Sequence, residues 1–411
     1  MSETLSVGLV GCGGMGLRHL KAYAELERAG TGWVRLDAIC DSDPGRLESA
    51  RASFEEATGR DVPVFGSIEE AASAGIGAVD LAIPTRFHHT AALEAFELGW
   101  HVFVEKPIAL TVRAARLMIE AAEERGLTLA VSENFRRVPA ARAFRALVAE
   151  GGLGRPYWTS SELVLPASKL HPSGGGEWYR DRMMSGSLVA LEMGVHEADL
   201  LGYWFGPIER VSATVRTYES EIPSAGGGSI EVTSEDTCFA RFELEGGVIA
   251  NVTMTMAGHG AEVGRRFAVG STGSASSGCW ETWQDGELVP DEGPSRPLSE
   301  VTAEYVAGLG YDERESLLPQ GTFRPDRLDL EIADPIRYGV ATGIVDFARA
   351  ALSGGRPEVD GDTALTALAA AIALLESSVA GGPVEVEDVL QGRCDKWQAE
   401  IDLDLGLIES N

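Results

Sequence analysis

The stretch Ser6-Val7-Gly8-Leu9-Val10-Gly11-Cys12-Gly13-Gly14-Met15-Gly16 decides the fold class. Its first five residues form a short apolar strand, and the glycine-rich turn follows at once. Apolar positions then recur at helical spacing: Leu17, Leu20, Tyr23 and Ala24. Strand, turn and helix in this order are the context in which a G-x-G-x-x-G pattern binds the pyrophosphate of a dinucleotide. A glycine-rich turn without a ligand is the alternative interpretation.

The positions of the turn have separate physical roles. Gly11 permits the tight turn, Gly13 lets the backbone approach a pyrophosphate, and Gly16 lets helix and strand pack closely. The helix N-terminus adds free N–H groups and the positive end of the helix dipole. We therefore predict that the whole turn contacts the cofactor: Gly11, Cys12, Gly13, Gly14, Met15 and Gly16.

A second strand, 34–40, ends at Asp41. An acidic residue at this place binds the adenosine ribose hydroxyls and repels a 2′-phosphate. We therefore predict NAD as the cofactor, with NADP disfavoured. Arg46 is the nearby residue that would instead favour NADP.

Strands and helices alternate up to residue 134. The predicted helices are 44–58, 90–98 and 112–125, and further strands are predicted at 78–83, 102–104 and 128–133. This alternation predicts a doubly wound parallel sheet of the Rossmann type, because parallel strands are joined by right-handed helical crossovers.

The strand Val102-Phe103-Val104 stops at Glu105-Lys106-Pro107. Proline cannot donate to a sheet ladder, so the strand should end there. Ligands of parallel α/β sheets bind beyond the carboxyl ends of the strands. Lys106 is therefore predicted to project into the ligand crevice; a merely solvated lysine is the alternative.

The pattern changes near residue 135. Several extended segments follow: 157–165, 211–218, 237–244, 248–256 and 266–269. Alternating apolar and polar residues in them predict an antiparallel sheet with one face exposed or in an interface. We predict a Rossmann domain at 1–134 and an α+β domain for substrate binding and oligomerisation at 135–411. Residues 286–334 are acidic, proline-rich and poorly periodic, which suggests an insertion, and helices 335–352 and 361–379 are predicted to close the second domain.

The segment from Ser185 to Asp199 is predicted to be a helix that starts after Gly186. Glu192 and His196 are four residues apart, so they would share one face of this helix. A histidine beside a carboxylate suits general acid–base catalysis. A structural Glu–His pair on a helix surface is the alternative.

Composition narrows the partners. The chain has 411 residues and a formal net charge of −29, which disfavours nucleic acid and anionic membranes. The five cysteines form no C-x-x-C pair, so neither a metal site nor a disulfide framework is expected. The N-terminus shows no signal peptide pattern, and the apolar run 364–375 is too short to span a membrane. A cytoplasmic protein is expected.

Four motifs together resemble the Gfo/Idh/MocA family, named after glucose–fructose oxidoreductase and inositol dehydrogenase. They are the glycine turn, Pro84-Thr85 with His88, Glu105-Lys106-Pro107, and Gly194-Val195-His196 with Asp199. The resemblance covers nearly the whole chain except 286–334. With it, the expected cofactor site extends to Pro84, Thr85, His88, Glu105, Lys106 and Asn134.

The resemblance also implies a catalytic site. It implies that Lys106 and His196 flank the reacting carbon near the nicotinamide, with an aspartate one helical turn before the histidine. This chain has Glu192 there, and we predict Lys106, His196 and Glu192 as the catalytic set. The expected substrate contacts are these three residues with Arg136, Trp178, Tyr179 and Arg180. Ordinary surface packing is the alternative for residues 178–180.

The predicted activity is reversible, NAD-dependent oxidation of a secondary alcohol on a sugar, glycoside or cyclitol. One alternative is an enzyme that retains NAD and cleaves or eliminates after transient oxidation of the ring. Another is a non-catalytic, NAD-bound sensor. A sheet face that is partly apolar tends to be covered, so a homodimer or homotetramer is expected.

Overall fold

The structure is a computed structural model. It describes residues 4–167, 176–223, 227–283, 285–310 and 335–409. The chain divides into two compact units. The first comprises residues up to 109, then 115–137 and the described part of 309–364. The second comprises 110–114, 138–308 and 365 onwards.

The first unit contains a parallel sheet whose described strands number six, in the order β3-β2-β1-β4-β5-β6. The strands are β1 (Leu5–Val10), β2 (Val34–Cys40), β3 (Val64–Phe65), β4 (Ala78–Leu81), β5 (His101–Glu105) and β6 (Leu129–Ser132). The helices are α1 (Gly14–Ala29), α2 (Pro44–Thr58), α3 (Ile68–Ala71), α4 (His88–Glu97) and α5 (Val112–Arg125). The predicted Rossmann sheet is confirmed.

Burial explains why the sequences of these strands are apolar. Every residue of β4 and β6 is buried, since both faces of a parallel sheet are covered. Helix α2 begins where the sequence provides a cap: Asp43 accepts the N–H groups of Gly45 and Arg46, and Pro44 occupies the first turn.

The second unit contains a sheet with nine described strands in the order β16-β15-β14-β13-β7-β12-β11-β8-β17. Only the β7–β12 pair is parallel among the described pairings of this sheet. A separate two-stranded ribbon pairs β9 with β10. The strands are β7 (Pro156–Pro166), β8 (Ile208–Arg216), β9 (Glu221–Pro223), β10 (Ser229–Glu231), β11 (Thr237–Leu244), β12 (Ile249–Gly258), β13 (Val263–Gly270), β14 (Gly273–Ser277), β15 (Gly286–Pro290), β16 (Arg296–Pro297) and β17 (Val384–Glu385). The predicted mostly antiparallel sheet is confirmed.

The remaining helices are α6 (Pro139–Ala149), α7 (Arg182–Ser185), α8 (Gly194–Phe205), α9 (Leu298–Gly308), α10 (Pro335–Ser353), α11 (Gly361–Ala380), α12 (Val386–Leu390) and α13 (Ala399–Asp404). Short 3₁₀ helices occur at Ala72–Ala74, Thr85–Phe87, Phe135–Arg137, Gly176–Arg180 and Glu245–Gly247.

Helix α10 differs from its predicted place. It was expected to close the second domain, but it belongs to the first unit. Its buried residues Val340, Ile344 and Phe347 join the core cluster that contains Leu9 and Leu20. The buried Arg137 guanidinium also contacts Asp346 at 3.2 Å and Glu358 at 3.3 Å. The helix therefore completes the Rossmann core, although it is encoded about 200 residues after that core.

The predicted insertion at 286–334 also differs in its described part. Residues 286–290 form β15, which pairs with β14 and extends the sheet. Helix α9 follows and buries Leu298, Thr302 and Val306, which are spaced four residues apart on one face. Residues 286–308 are thus integral to the second unit. The rest of the predicted insertion, 311–334, lies outside the described residues.

Helix α11 is the described helix that is long and apolar enough to cross a membrane by length and composition, with a mean hydropathy of 1.7. The apolar stretch is therefore longer than predicted. In the structure 72% of that window is buried inside the protein, as in the core helix of a globular unit.

Candidate functional site

The glycine turn joins β1 to α1 and has two kinds of glycine. Gly11 has a φ of +98°, and a Cβ there would lie 2.4 Å from the Ala82 carbonyl oxygen. A Cβ at Gly16 would lie 1.9 Å from the Gly11 carbonyl oxygen. In contrast, a Cβ at Gly13 or Gly14 would meet nothing within 4 Å. Two positions therefore close the turn, and two border open space.

No side chain caps the start of α1. The first N–H groups of a helix have no intrahelical acceptor, so this end can bind an anion. Asp41 lies beside the turn at the end of β2. Its Oδ2 accepts the Cys12 N–H at 2.7 Å, and its Oδ1 accepts the Asp43 N–H at 2.8 Å. The carboxylate is therefore held in a fixed orientation next to the open space at Gly13.

These features fit a dinucleotide. The open cradle at Gly13 and Gly14 has room for a pyrophosphate, the uncapped helix supplies N–H donors, and Asp41 supplies a carboxylate for the ribose. Burial, then the charge of Asp41, raises the pKa of the Cys12 thiol to about 12, so this residue remains neutral in the turn.

The carboxyl end of β5 brings together the next predicted residues. Lys106 is half-buried and follows the strand directly, and the Lys106–Pro107 peptide bond is cis. Glu105 is buried, and its Oε2 accepts the Lys106 N–H at 3.2 Å. His88 is buried with Nδ1 2.9 Å from the Pro107 carbonyl oxygen and Nε2 2.9 Å from that of Ile83. His88 thus joins the ends of two neighbouring strands.

Other predicted residues of the first unit lie at strand ends as well. Pro84 precedes the 3₁₀ turn Thr85–Phe87, whose Phe87 N–H donates to the Pro84 carbonyl oxygen at 2.9 Å. Thr85 is buried. Asn134 and Arg136 follow β6 and are also buried. Asn134 packs closely on Gly339: a Cβ added at Gly339 would lie 2.7 Å from the Asn134 Cβ. Their roles toward cofactor and substrate stay predictions.

A buried charge cluster lies behind Glu105. His19 of α1 has Nδ1 2.8 Å from Asp80 Oδ2 and Nε2 2.9 Å from Glu105 Oε1. The Tyr23 hydroxyl donates to the same Asp80 oxygen at 3.1 Å. This cluster was not predictable from a local sequence pattern, because the partners of His19 are 61 and 86 residues away. A buried aspartate in the apolar run of β4 is the signal that could have indicated it.

In the second unit, the predicted helix at 187–199 is wrong in its first half. Helix α8 begins only at Gly194, and residues 188–193 form turns. The Glu192 N–H donates to Ser187 O at 3.0 Å and the Gly194 N–H to Val189 O at 2.9 Å, both across five residues rather than four. Ser234 Oγ and the Glu235 carbonyl oxygen accept the Leu188 and Val189 N–H groups, which holds this wider turn in place.

As a consequence, Glu192 and His196 do not share a helix face as predicted. Glu192 lies in the turn, and His196 is the third residue of α8. Both are buried, as is Asp199. The next residue, Glu197, forms a buried pair with Arg266, with an Nη2–Oε2 distance of 2.6 Å, and accepts the Ser161 hydroxyl at 2.8 Å. This pair anchors the first turn of α8 to β13 and β7, and so fixes the backbone at His196.

The predicted substrate segment is described from residue 176. The Trp178 and Tyr179 rings stack at 3.8 Å. The Arg180 side chain is buried, and its carbonyl oxygen accepts the Thr233 and Ser234 N–H groups. The following Arg182 donates to the Trp397 carbonyl oxygen and to Glu400, both at 2.7 Å. The segment is therefore held from both sides.

The residues that the structure describes include no candidate metal site. Within the described residues, no group of three or more His, Cys, Asp or Glu side chains is arranged to hold a metal ion.

Two sequence profiles match the chain. The GFO_IDH_MocA profile, described as an oxidoreductase family with an NAD-binding Rossmann fold, matches residues 5–133. The profile of the GFO/IDH/MocA C-terminal domain matches residues 141–276.

The chain is similar to curated enzymes. It is 29% identical over 228 residues to a D-apiose dehydrogenase of Paraburkholderia graminis; this covers 55% of the chain and 56% of that protein, little more than half of its length. It is 29% identical over 315 residues to a 1,5-anhydro-D-fructose reductase of Ensifer adhaerens, covering 76% of the chain and 80% of that protein.

Among solved structures, a levoglucosan dehydrogenase in complex with NADH and levoglucosan has the same fold. Its TM-score is 0.77 at 21% identity, covering 93% of this chain and all (100%) of that chain.

Proposed function

Because the chain belongs to the Gfo/Idh/MocA family of NAD-binding oxidoreductases, we propose that it is an NAD-dependent dehydrogenase of a sugar, glycoside or cyclitol. The reaction is reversible transfer of a hydride between a secondary alcohol and the nicotinamide. A carbohydrate substrate is supported by the D-apiose dehydrogenase and the 1,5-anhydro-D-fructose reductase among its relatives.

One observation carries the proposal. The sheet that bears the open glycine cradle also bears a half-buried lysine, Lys106, at the carboxyl end of β5. Strand β5 lies two positions from β1 in the sheet order. The carboxyl ends of these strands are where doubly wound sheets bind dinucleotides. A cation at this edge is suited to an oxygen that gains negative charge.

The chain's residues have separate tasks toward NAD. The turn from Gly11 to Gly16 holds the pyrophosphate, and Asp41 binds the adenosine ribose and disfavours NADP. Pro84, Thr85, His88, Glu105 and Asn134 complete the cofactor side of the site, either by contact or by shaping the strand ends. When bound, NAD supplies the acceptor for the hydride.

The acid–base step is assigned to Lys106 and His196. His196 takes the proton of the substrate hydroxyl as general base. The carbinol C–H bond breaks with its electron pair leaving as hydride, and the carbon–oxygen bond becomes a carbonyl. Lys106 stabilises the negative charge that develops on the oxygen. In the reverse direction, His196 returns the proton to that oxygen.

The remaining predicted residues are assigned to substrate recognition. Glu192 accepts a substrate hydroxyl or orients His196. Because Glu192 lies in a turn rather than on the helix, that turn determines how far its carboxylate reaches. The stacked pair Trp178 and Tyr179 offers an aromatic face to a sugar ring, while Arg136 and Arg180 offer donors. A homodimer or homotetramer through the second sheet, in the cytoplasm, is part of the same proposal.

The test is NADH absorbance at alkaline pH with NAD and a panel of inositols, aldoses, anhydrosugars and aryl glycosides. We expect a signal with one of these classes. His196→Ala should lower kcat by about 10²–10⁴-fold, the usual contribution of a positioned acid–base group. NAD affinity, measured separately by calorimetry, should change little.

The matched control is His259→Ala, which removes an exposed histidine whose Nε2 lies 2.9 Å from Glu219 Oε1. It should retain wild-type turnover. Near-wild-type kcat in His196→Ala would rule out its assigned role. No NADH absorbance with any member of the panel, together with exchange of substrate hydrogen into solvent and release of NAD only on denaturation, would instead favour the NAD-retaining elimination. Silence without exchange would favour the sensor.

A further inference from the structure

The proposed function gives no role to His19. Its side chain is wholly buried in the first unit, where Asp80 on β4 and Glu105 on β5 face its two ring nitrogens. Tyr23 approaches from its own helix, and the Phe103 ring lies 6.0 Å from the imidazole. The other Asp80 oxygen, Oδ1, is buried without a hydrogen-bond partner among the described atoms.

The geometry favours the protonated form of His19. A neutral imidazole has one N–H, whereas here both nitrogens lie within hydrogen-bond distance of carboxylate oxygens. Only the imidazolium donates to both. It also compensates two carboxylates that would otherwise be buried beside each other.

The electrostatics agree with this geometry. Burial opposes the charged form, but the charge and hydrogen bond of Asp80, followed by those of Glu105, raise the pKa of His19 to about 10. Burial and the charge of Asp80 raise the pKa of Tyr23 well above its ordinary value, so its hydroxyl remains a neutral donor.

Glu105 connects the cluster to Lys106. One carboxylate oxygen meets the His19 ring, and the other accepts the Lys106 N–H at 3.2 Å. Burial favours the neutral acid, yet the hydrogen bond and charge of His19, then the charge of Lys106, hold the pKa of Glu105 below its usual range. Glu105 is thus an anion fixed between two cations.

We propose that His19 is a positioning residue: as a buried imidazolium it keeps Glu105 ionised and oriented, and Glu105 in turn holds the backbone and the ammonium group of Lys106 for the reaction. This inference rests on the proposed function for the use of Lys106, but not for the existence of the charge cluster.

The consequence of removing His19 has a definite sign. In His19→Gln, Glu105 faces Asp80 without a cation between them, so Glu105 becomes neutral at a higher pH. A buried glutamate without a cation can stay neutral up to about pH 8–9, where lysines begin to titrate. Lys106 then loses the adjacent Glu105 anion together with the more distant His19 cation; loss of the nearer charge dominates, so the titration midpoint of Lys106 falls by up to about one pH unit. The alkaline limb of kcat should move to lower pH by the same amount.

The decisive readout does not require turnover. The chain has four lysines, Lys21, Lys106, Lys169 and Lys396, so ¹³C-dimethylated lysine signals are few and Lys106 is assigned with a Lys106→Arg sample. We expect the Lys106 midpoint to fall in His19→Gln and to stay unchanged in His89→Gln. His89 is a matched control, because it is also buried and burial lowers its pKa, so it is neutral.

An unmoved Lys106 midpoint in His19→Gln would overturn the proposal. In His19→Gln/Asp80→Asn the repelling carboxylate is gone as well, so the displacement should shrink. If His19→Gln does not fold, Glu105→Gln removes the same anion but keeps an oxygen for the Lys106 N–H, and the Lys106 midpoint should fall; an unmoved midpoint there would also overturn the proposal. An inactive wild-type enzyme would contradict the dehydrogenase function while the lysine titration still decides the role of His19.

Discussion

Gly13 and Gly16 lie in one turn but differ in what an added methyl group would meet. At Gly13 the φ is −75° and a Cβ has open space, whereas at Gly16 it would collide with the Gly11 carbonyl oxygen. Gly13→Ala should therefore leave the melting temperature unchanged and weaken NAD binding by about tenfold or more, since the methyl group occupies the pyrophosphate's approach. Gly16→Ala should destabilise the fold by about 1–3 kcal/mol. Thermal unfolding and NAD calorimetry separate the two effects.

Gly308→Ala is the control for both variants, because a Cβ there also meets nothing within 4 Å and the residue belongs to the second unit, at the end of α9. It should change neither property. Unchanged NAD affinity in Gly13→Ala would show that the cradle does not hold the pyrophosphate.

Single residues could be predicted from the sequence where their place depends on local order. The closing positions Gly11 and Gly16 and the place of Asp41 at a strand end were predictable because they depend on local order: strand, turn, helix, next strand end. His19 was not, because its role depends on two carboxylates that only the sheet order brings to it. Pairing between distant charges leaves no local pattern, apart from a polar residue in an otherwise apolar strand.

At the scale of elements, segments with an apolar or alternating pattern were predicted, whereas short segments without such a pattern were not. Strand β11 has the predicted bounds, 237–244, since alternation runs over eight residues. Strand β14 has the sequence Gly-Ser-Ala-Ser-Ser, whose small polar residues carry no alternation that a pattern could detect. The turn at 188–193 was mistaken for helix because its apolar residues fit a helical period, while its bonds to Ser234 and Glu235 come from the distant β11 region.

Helix α11 provides a prediction at this scale. Near its end, Glu376 accepts the Trp397 N–H at 3.0 Å and anchors the C-terminal segment. Burial raises the pKa of Glu376. A raised pKa means that the folded state favours the neutral acid, so stability falls as pH rises through that pKa. Glu376→Gln, which keeps an oxygen acceptor without the charge, should melt at a higher temperature than wild type at pH 8. The difference should close as the pH is lowered toward 4.

Melting curves between pH 4 and 8 measure this effect. Glu56→Gln is the control, because it removes one exposed charge from α2 and tests general relief of the −29 net charge. A pH-independent difference for Glu376→Gln, or an equal gain in both variants, would contradict a role for the buried carboxyl.

At the scale of the whole molecule, the second sheet presents an apolar face. Trp158 pairs in register with Ile249, and Phe239 with Thr253, four residues further along β12, so these side chains lie on one side of the sheet. Trp158 is 38% and Phe239 47% exposed, while Ala250, Val252 and Met254 of the opposite side are buried. Trp158 also contacts Phe267, with ring centroids 5.4 Å apart. The face is therefore continuous over β13, β7, β12 and β11.

The chain carries a high negative charge, and two like-charged surfaces repel each other unless an apolar contact outweighs the repulsion. The exposed apolar face is therefore the surface on which two copies would associate. A second copy of the chain, related by a twofold axis, would bring the same apolar residues together from both sides.

Phe239→Asp should therefore shift the protein toward monomer. Loss of a central aromatic contact costs about 2 kcal/mol or more, which weakens dimerisation by about 30-fold. Sedimentation equilibrium at micromolar concentration measures the mass directly. Tyr218→Asp, at a side chain that is 64% exposed just after β8, is the matched control and should leave the mass unchanged. Because the Phe239 side chain lies outside the core, both variants should keep the far-ultraviolet circular dichroism spectrum of wild type, so a lower mass would report loss of assembly rather than unfolding. A monomeric wild type, or an unchanged mass in Phe239→Asp, would mean that this face is not the interface.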